Sequence, residues 1–258
     1  MKANEERLVF ALNSLLNFTV QMKIIALKYL LKSVPMRKFL LITLGMCAFF
    51  FASSQAQRIS LAPDNVIPYQ VTVTQSDYKG KNALALQMPK AAINEKTVAL
   101  LKNIDFHNGI IEATISGQPQ MNAGEGARGF VGIAFRVSKD TSKMELFYIR
   151  PTNGRANDQV RRNHSTQYVS LPGYPWERSR EETPEKYEAY ADMMPAEWIR
   201  VKIEVKDETA KFYINGAEQP TLIVNDLKQG KDLRGSVGLW IGPETLGYFT
   251  DVSINKLD

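Results

Sequence analysis

Beyond residue 56, apolar and β-branched side chains recur at every second position in short runs, a period that limits what the chain can fold into. The stretches 83–88, 109–116, 129–137, 144–150, 198–205, 209–214, 235–241 and 247–254 carry it and read as strands. Asn108-Gly109, Asn153-Gly154 and Asn215-Gly216 supply residues that tolerate positive φ at turns. Helical patterning is confined to 184–194 and the shorter 95–102. Many short strands separated by turns predict an all-β, antiparallel two-sheet sandwich.

Alternation also assigns faces. Val131, Ile133, Phe135 and Val137 form one side of their strand, and Gly132, Ala134 and Arg136 the other. In the next strand Phe147 and Ile149 join the core, which leaves Tyr148 and Arg150 beside Arg136. Two guanidinium groups and a phenol are thus expected on one surface. By contrast, Ile199, Val201, Ile203 and Val205 alternate with Arg200, Lys202 and Glu204, the pattern of a structural strand with a solvated outer face.

The 47 residues of 151–197 do not divide into regular hairpins, and so long a connection is usually functional or disordered. Tyr168, Tyr174, Trp176, Tyr187 and Tyr190 argue for order. The segment is expected to be a partly helical insertion folded over one face of the sandwich.

The start of the chain differs. Met36-Arg37-Lys38 precedes 14 uncharged, mostly apolar residues, 39–52, followed by Ser53-Ser54-Gln55-Ala56. This is the three-part form of a secretory signal, shorter than the roughly 20 residues a membrane-spanning helix needs. Residues 36–56 are therefore expected to be a signal peptide cleaved after Ala56, with 57–258 forming one exported domain in the periplasm, outside the cell or on its surface. Residues 1–35 read either as an extension upstream of the true start or as an anchor that keeps the uncleaved leader on a membrane. Cleavage removes Cys47, the single cysteine, and with it any disulfide, thiolate nucleophile or Cys-bound metal. Residues 1–56 also hold 7 of the 32 basic and 2 of the 27 acidic residues, so 25 of each remain. The formal charge of +5 belongs to the leader, and the domain lacks the net basic field that drives nucleic-acid binding.

Three segments carry a family likeness: Glu197-Trp198-Ile199-Arg200-Val201-Lys202-Ile203-Glu204-Val205, Ala210-Lys211-Phe212-Tyr213-Ile214-Asn215-Gly216, and Gly235-Ser236-Val237-Gly238-Leu239-Trp240 with 249–254. Their order resembles the C-terminal half of concanavalin A-like (laminin G-like) jelly rolls and is similar to 3-keto-disaccharide hydrolase-like domains of secreted bacterial proteins. The resemblance implies a jelly-roll sandwich with a concave sheet that binds carbohydrate. That architecture hosts lectins, glycan hydrolases, lyases and adhesion modules, so it does not choose among chemistries.

A retaining glycosidase needs two carboxyl groups about 5 to 5.5 Å apart. The Glu-x-Asp-x-x-Glu pattern of laminarinase-like enzymes is absent. Glu112 is the best-placed strand carboxylate of the first half, whereas Asp158, Glu177, Glu181 and Glu182 lie in the insertion and read equally as solvated surface charges. His164, in Arg161-Arg162-Asn163-His164, suits a general base, a ligand hydrogen bond or an exposed loop. Glu112, His164 and Tyr168 are the catalytic candidates; His107, beside Asn108-Gly109, reads as a turn residue. Sugar recognition calls for aromatic faces and planar polar groups, which makes Arg136, Tyr148, Arg150, Gln167, Tyr168, Trp176 and Trp240 the ligand-binding candidates. No His-rich spacing suggests zinc. No cofactor is expected beyond a structural calcium that the family resemblance allows, and no Asp-rich loop argues for it. The expected function is to bind an oligosaccharide or polysaccharide in a cleft between the concave sheet and the 151–197 insertion. A glycoside hydrolase or polysaccharide lyase on the same face, and an adhesion or structural module, are the alternatives.

Overall fold

The computed structural model describes residues 21–22, 56–88 and 96–257. Gln21 and Met22 are helical and belong to a separate unit. Cys47 and the expected signal up to residue 55 lie outside the described residues. Among the described residues no helix is long and apolar enough to cross a membrane.

The chain folds as the expected all-β, antiparallel two-sheet sandwich. Its strands are β1 (Gln57–Arg58), β2 (Val66–Tyr69), β3 (Thr72–Tyr78), β4 (Lys81–Gln87), β5 (Val98–Leu101), β6 (Gly109–Pro119), β7 (Val131–Val137) and β8 (Met144–Ile149). After helix α1 (Gln159–Asn163) comes β9 (Thr166–Leu171), then α2 (Trp176–Glu182), β10 (Glu188–Ala189), β11 (Ile199–Lys206), β12 (Thr209–Ile214), β13 (Leu222–Val224), β14 (Ser236–Ile241) and β15 (Thr245–Lys256). One sheet runs β13-β12-β11-β6-β15-β4-β3, with β1 also paired to β15, and the other runs β10-β9-β8-β7-β14-β5-β2. The core lies between them. Phe147 from the second sheet stacks on Phe212 from the first with centroids 5.0 Å apart, and Val131, Ile133, Val201, Ile203, Leu239 and Phe249 fill the space around them.

Two helix expectations are overturned. Within 95–102 the chain forms β5, buried on both faces: Ala99 and Leu101 enter the core, whereas Val98 and Leu100 pack on the far side of the sheet. A short unbroken apolar run carries no period that separates helix from doubly buried strand. Within 184–194 there is no helix; Glu188–Ala189 pairs with β9, and Tyr187 enters the core against Tyr174 at 5.5 Å. The helical turns of the insertion are α1 and α2 instead. Nor is the insertion only a cover, since β9 pairs along β8 from Ile149 to Met144 and widens the sheet.

The alternation of β7 breaks at Arg136. A register shift between Ser236 and Gly238 sets Phe135 and Arg136 opposite the single Val237, and Arg136 has φ 52. This is a β-bulge, in which an extra residue bends the strand and re-aims side chains. Val137 consequently joins Ala134 on the outer face of the sheet. Arg136 is fully buried rather than on the expected binding surface. Its Nε donates to the His107 carbonyl at 2.9 Å, Nη1 to Gly230 O at 3.1 Å, and Nη2 to Asn108 Oδ1 at 3.1 Å and Asp207 O at 2.8 Å. One side chain thus ties three loops together.

Arg136→Ala leaves those carbonyls without this donor, at about 1–3 kcal/mol for each that stays dry. The expected outcome in urea unfolding is a loss of about 3 kcal/mol or more, and a loss below about 1 kcal/mol would contradict the assignment.

Candidate functional site

The outer face of the β10-to-β2 sheet carries a second apolar cluster: Val98, Leu100, Ala134, Val137, Met144, Leu146, Tyr148, Val169 and Trp240. Part of it floors a cavity of about 520 Å³. Leu146 and Tyr148 reach it from β8, Val169 and Leu171 from β9, and Trp240 from β14, with Phe130 just before β7. Tyr148 sits between two other rings, 5.1 Å from Trp240 and 6.2 Å from Phe130. Gly132 lies opposite Tyr148 in the β7–β8 ladder, where a Cβ would stand 2.3 Å from the Phe147 carbonyl and 2.6 Å from the Tyr148 Cβ, so glycine lets the tyrosine lie there.

The insertion supplies the walls. Trp176 and Arg180, one turn apart on α2, line the cavity with Arg180 stacked on the indole at 4.7 Å, while α1 brings Arg161 and its end brings His164. Asp158 fixes α1 by accepting from the Arg161 amide at 2.9 Å, an N-cap. The loop before β7 adds Gly126, Ala127 and Arg128, and Glu244 stands at the β14–β15 turn.

Arg150 joins floor to wall. Its Nη2 donates to the Tyr148 hydroxyl at 2.8 Å and Gln167 Oε1 at 3.0 Å; its Nη1 donates to the His164 carbonyl at 3.0 Å and Glu188 Oε1 at 3.2 Å. Glu188 also accepts a two-point contact from Arg180, at 2.6 and 3.0 Å. Asn153 donates to the same His164 carbonyl at 3.1 Å, and its own Oδ1 is buried without a donor among the described residues. His164 Nε2 is 3.5 Å from Glu188 Oε2. Burial holds the imidazole below its ordinary value of 6.5; the Glu188 charge pulls it up, and Arg180 and Arg150 push it further down.

The expected site residues therefore divide. Tyr148, Arg150, His164, Trp176 and Trp240 line one cavity. Gln167 is fully buried beneath it, spent on Arg150. Tyr168 must point the other way from its neighbour Gln167, and it does: it lies in the core, its hydroxyl donating to Glu145 Oε2 at 2.7 Å and accepting from the Lys228 amide at 2.9 Å. Burial raises the pKa of both groups of that pair, so the Tyr168 phenol stays protonated and meets no ligand. Glu112 is on the opposite sheet, in β6, beside a separate 330 Å³ recess with Arg200, Lys202 and Asp251. Of the insertion acids, Asp158 caps α1, Glu182 pairs with Arg178 at 2.7 Å, and Glu177 and Glu181 are exposed. Trp198 packs edge-on against Tyr78. Among the described residues Glu244 is the lone carboxylate lining the cavity, so the pair a retaining glycosidase needs is not assembled. No group of three or more His, Cys, Asp or Glu gathers to hold a metal among the described residues.

Residues the sequence did not single out are Arg128, Phe130, Arg161, Arg180, Glu188 and Glu244. Phe130 precedes Val131 and so was readable as outward-facing by alternation. Arg180 follows Trp176 by four, a spacing that signals one face once a helix is placed there. Nothing local marks Glu188.

No family model matches the chain, and no curated protein matches it. Among solved structures, a putative glycosyl hydrolase from Parabacteroides distasonis is similar at 12% identity and a TM-score of 0.47, covering 79% of this chain and 100% of that one. A carbohydrate-binding module from Bacillus subtilis is similar at 13% and 0.46, over 73% of this chain and 97% of that one. A protein of unknown function with a galectin-like fold, also from Bacillus subtilis, is similar at 15% and 0.46, over 72% and 87%.

The depressed His164 value has a sign. The unfolded chain takes up this proton first as pH falls, so the neutral ring's contribution to stability is present above about 6.5 and is lost as pH drops through the lower folded value. Urea midpoints measured between about pH 7 and about pH 5 should fall more steeply for the wild type than for His164→Asn. Equal slopes would show that burial does not act on this ring.

Proposed function

We propose that the cavity binds a saccharide and that the domain is an exported carbohydrate-binding protein without hydrolytic activity of its own. One observation carries this: aromatic rings of Phe130, Tyr148 and Trp240 floor a recess whose rim is a tryptophan–arginine stack, Trp176 with Arg180. The C–H face of a pyranose packs on such rings, and planar hydrogen-bonding groups around it meet the ring hydroxyls. A volume of about 520 Å³ falls among small-ligand sites. The sequence resemblance to 3-keto-disaccharide hydrolase-like domains points to the same ligand class, and the form of residues 36–56 supports export.

The lone, rim-placed Glu244 argues against a hydrolase, because its two oxygens both face the Gly124 amide at 3.2 Å and no second carboxylate stands across from it in the lining. The test is a glycan array with neutral and acidic saccharides, followed by calorimetry on whatever is retained. Trp176 is 37% exposed, so Trp176→Ala should leave the fold intact and weaken binding about tenfold, a difference of about 1.4 kcal/mol. A chain that retains no glycan, or a Trp176→Ala variant that binds as the wild type does, would overturn the assignment. Release of new reducing ends would convert it to a hydrolase, or to a lyase where an unsaturated uronate appears with them.

A further inference from the structure

Four guanidinium groups line the cavity, and they are not alike. Arg150 and Arg180 share the buried Glu188 carboxylate. Arg128 is half-buried, and among the described residues its side chain donates to backbone carbonyls alone: Glu125 O and, at 3.0 Å, Ala127 O. The Arg161 side chain is exposed and has no hydrogen bond or ion pair among the described residues. Neither pairs with Glu244, whose carboxylate is turned to Gly124. Burial depresses the Arg128 pKa, and the positive charges of Arg161 and Arg150 add to it with no carboxylate to offset them. Arg128 and Arg161 thus both line the cavity, and neither has an ion pair among the described residues.

We propose that Arg128 and Arg161 form an anion-recognising end of the cavity, and that the saccharide bound there carries a carboxylate or sulfate group. The inference rests on the saccharide reading above and narrows its ligand class. A guanidinium presents two parallel N–H donors that match the oxygens of either anion, and an arriving anion removes the repulsion between the two arginines. Arg136 and Arg150, the arginines the sequence offered for such a clamp, are occupied elsewhere: Arg136 inside the domain and Arg150 by its four partners. Phe130, two residues after Arg128, also lines the cavity, so the charged end adjoins the aromatic floor.

The experiment is affinity electrophoresis of the full chain through gels containing polygalacturonate, alginate or chondroitin sulfate, each run beside its carboxyl-reduced form and, for the last, also its desulfated form and the neutral form that is both reduced and desulfated. Variants are Arg128→Gln, Arg161→Gln, the double variant, and Arg200→Gln on the opposite sheet as a control for charge alone. At least one acidic polymer is expected to bind about tenfold or more tightly than its neutral form, with the preference declining as salt rises. The double variant should bind both forms as the wild type binds the neutral one, and Arg200→Gln should keep the preference. The reduced and desulfated arms tell carboxylate from sulfate. Equal binding of charged and neutral forms, or a preference that survives the double substitution, overturns the anion end and leaves the saccharide site standing. A chain retained by neither acidic nor neutral polymer overturns both.

Discussion

The position of the cavity wall depends on one buried hydrogen-bonded group. Arg150 and Glu188 have side chains 6% and 3% exposed, and between them they hold Tyr148 of the floor, the start and body of β9, the end of α1, and α2 through Arg180. A buried ion pair is poor evidence of stability, because desolvating two charges offsets much of their attraction. Its effect here is geometric. Donors and acceptors that are all matched in one arrangement, and stranded in any other, fix where the insertion sits relative to the sheet. Removing Arg150 would leave Glu188 to Arg180 and would free Tyr148, Gln167 and the His164 carbonyl from their shared donor, so its loss cannot be read as loss of a ligand contact.

That arrangement explains why the site was only partly legible. Alternation correctly sent Phe147 to the core and Tyr148 and Arg150 to the other face, since β8 pairs without interruption to β7 and β9. The same rule failed one residue before the end of β7, where the Arg136 bulge reverses it. A bulge is set by what the neighbouring strand and loops require, and an arginine at φ 52 leaves no mark in its own sequence. The Gln167 and Tyr168 assignments conflicted with each other under the period of two, because adjacent strand residues face opposite ways. Only the placement of β9, hidden inside an irregular insertion, says which of them meets Tyr148: Gln167 is its direct partner in the ladder.

The two sheets differ in a way that follows from their outer faces. On β11, Arg200 and Lys202 stand toward solvent, with Lys202 paired to Glu204 at 2.7 Å, so that sheet needs no cover. The outer face of the other sheet carries leucines, valines, a tyrosine and a tryptophan that are nearly all buried. An apolar face of that extent must be covered, and α1, α2 and the loop before β7 cover it incompletely, leaving the recess over Tyr148 and Trp240. The cavity is what remains of a second, half-closed core.

Its charge is local in the same sense. Beyond residue 56 the basic and acidic residues balance at 25 each, so no long-range field draws polyanions to the domain. Behind the recess wall Glu188 answers Arg150 and Arg180; in the lining Glu244 is turned to Gly124, and Arg128 and Arg161 remain. Salt at physiological strength screens exposed charges over about 8 Å, so these two guanidinium groups act on what enters the recess and hardly on what passes the surface. Selectivity for an anionic group then requires that the group also fit beside the aromatic floor. On the proposed reading, a neutral domain with a small cationic recess would avoid indiscriminate attachment to acidic polymers while still recognising an acidic unit within one.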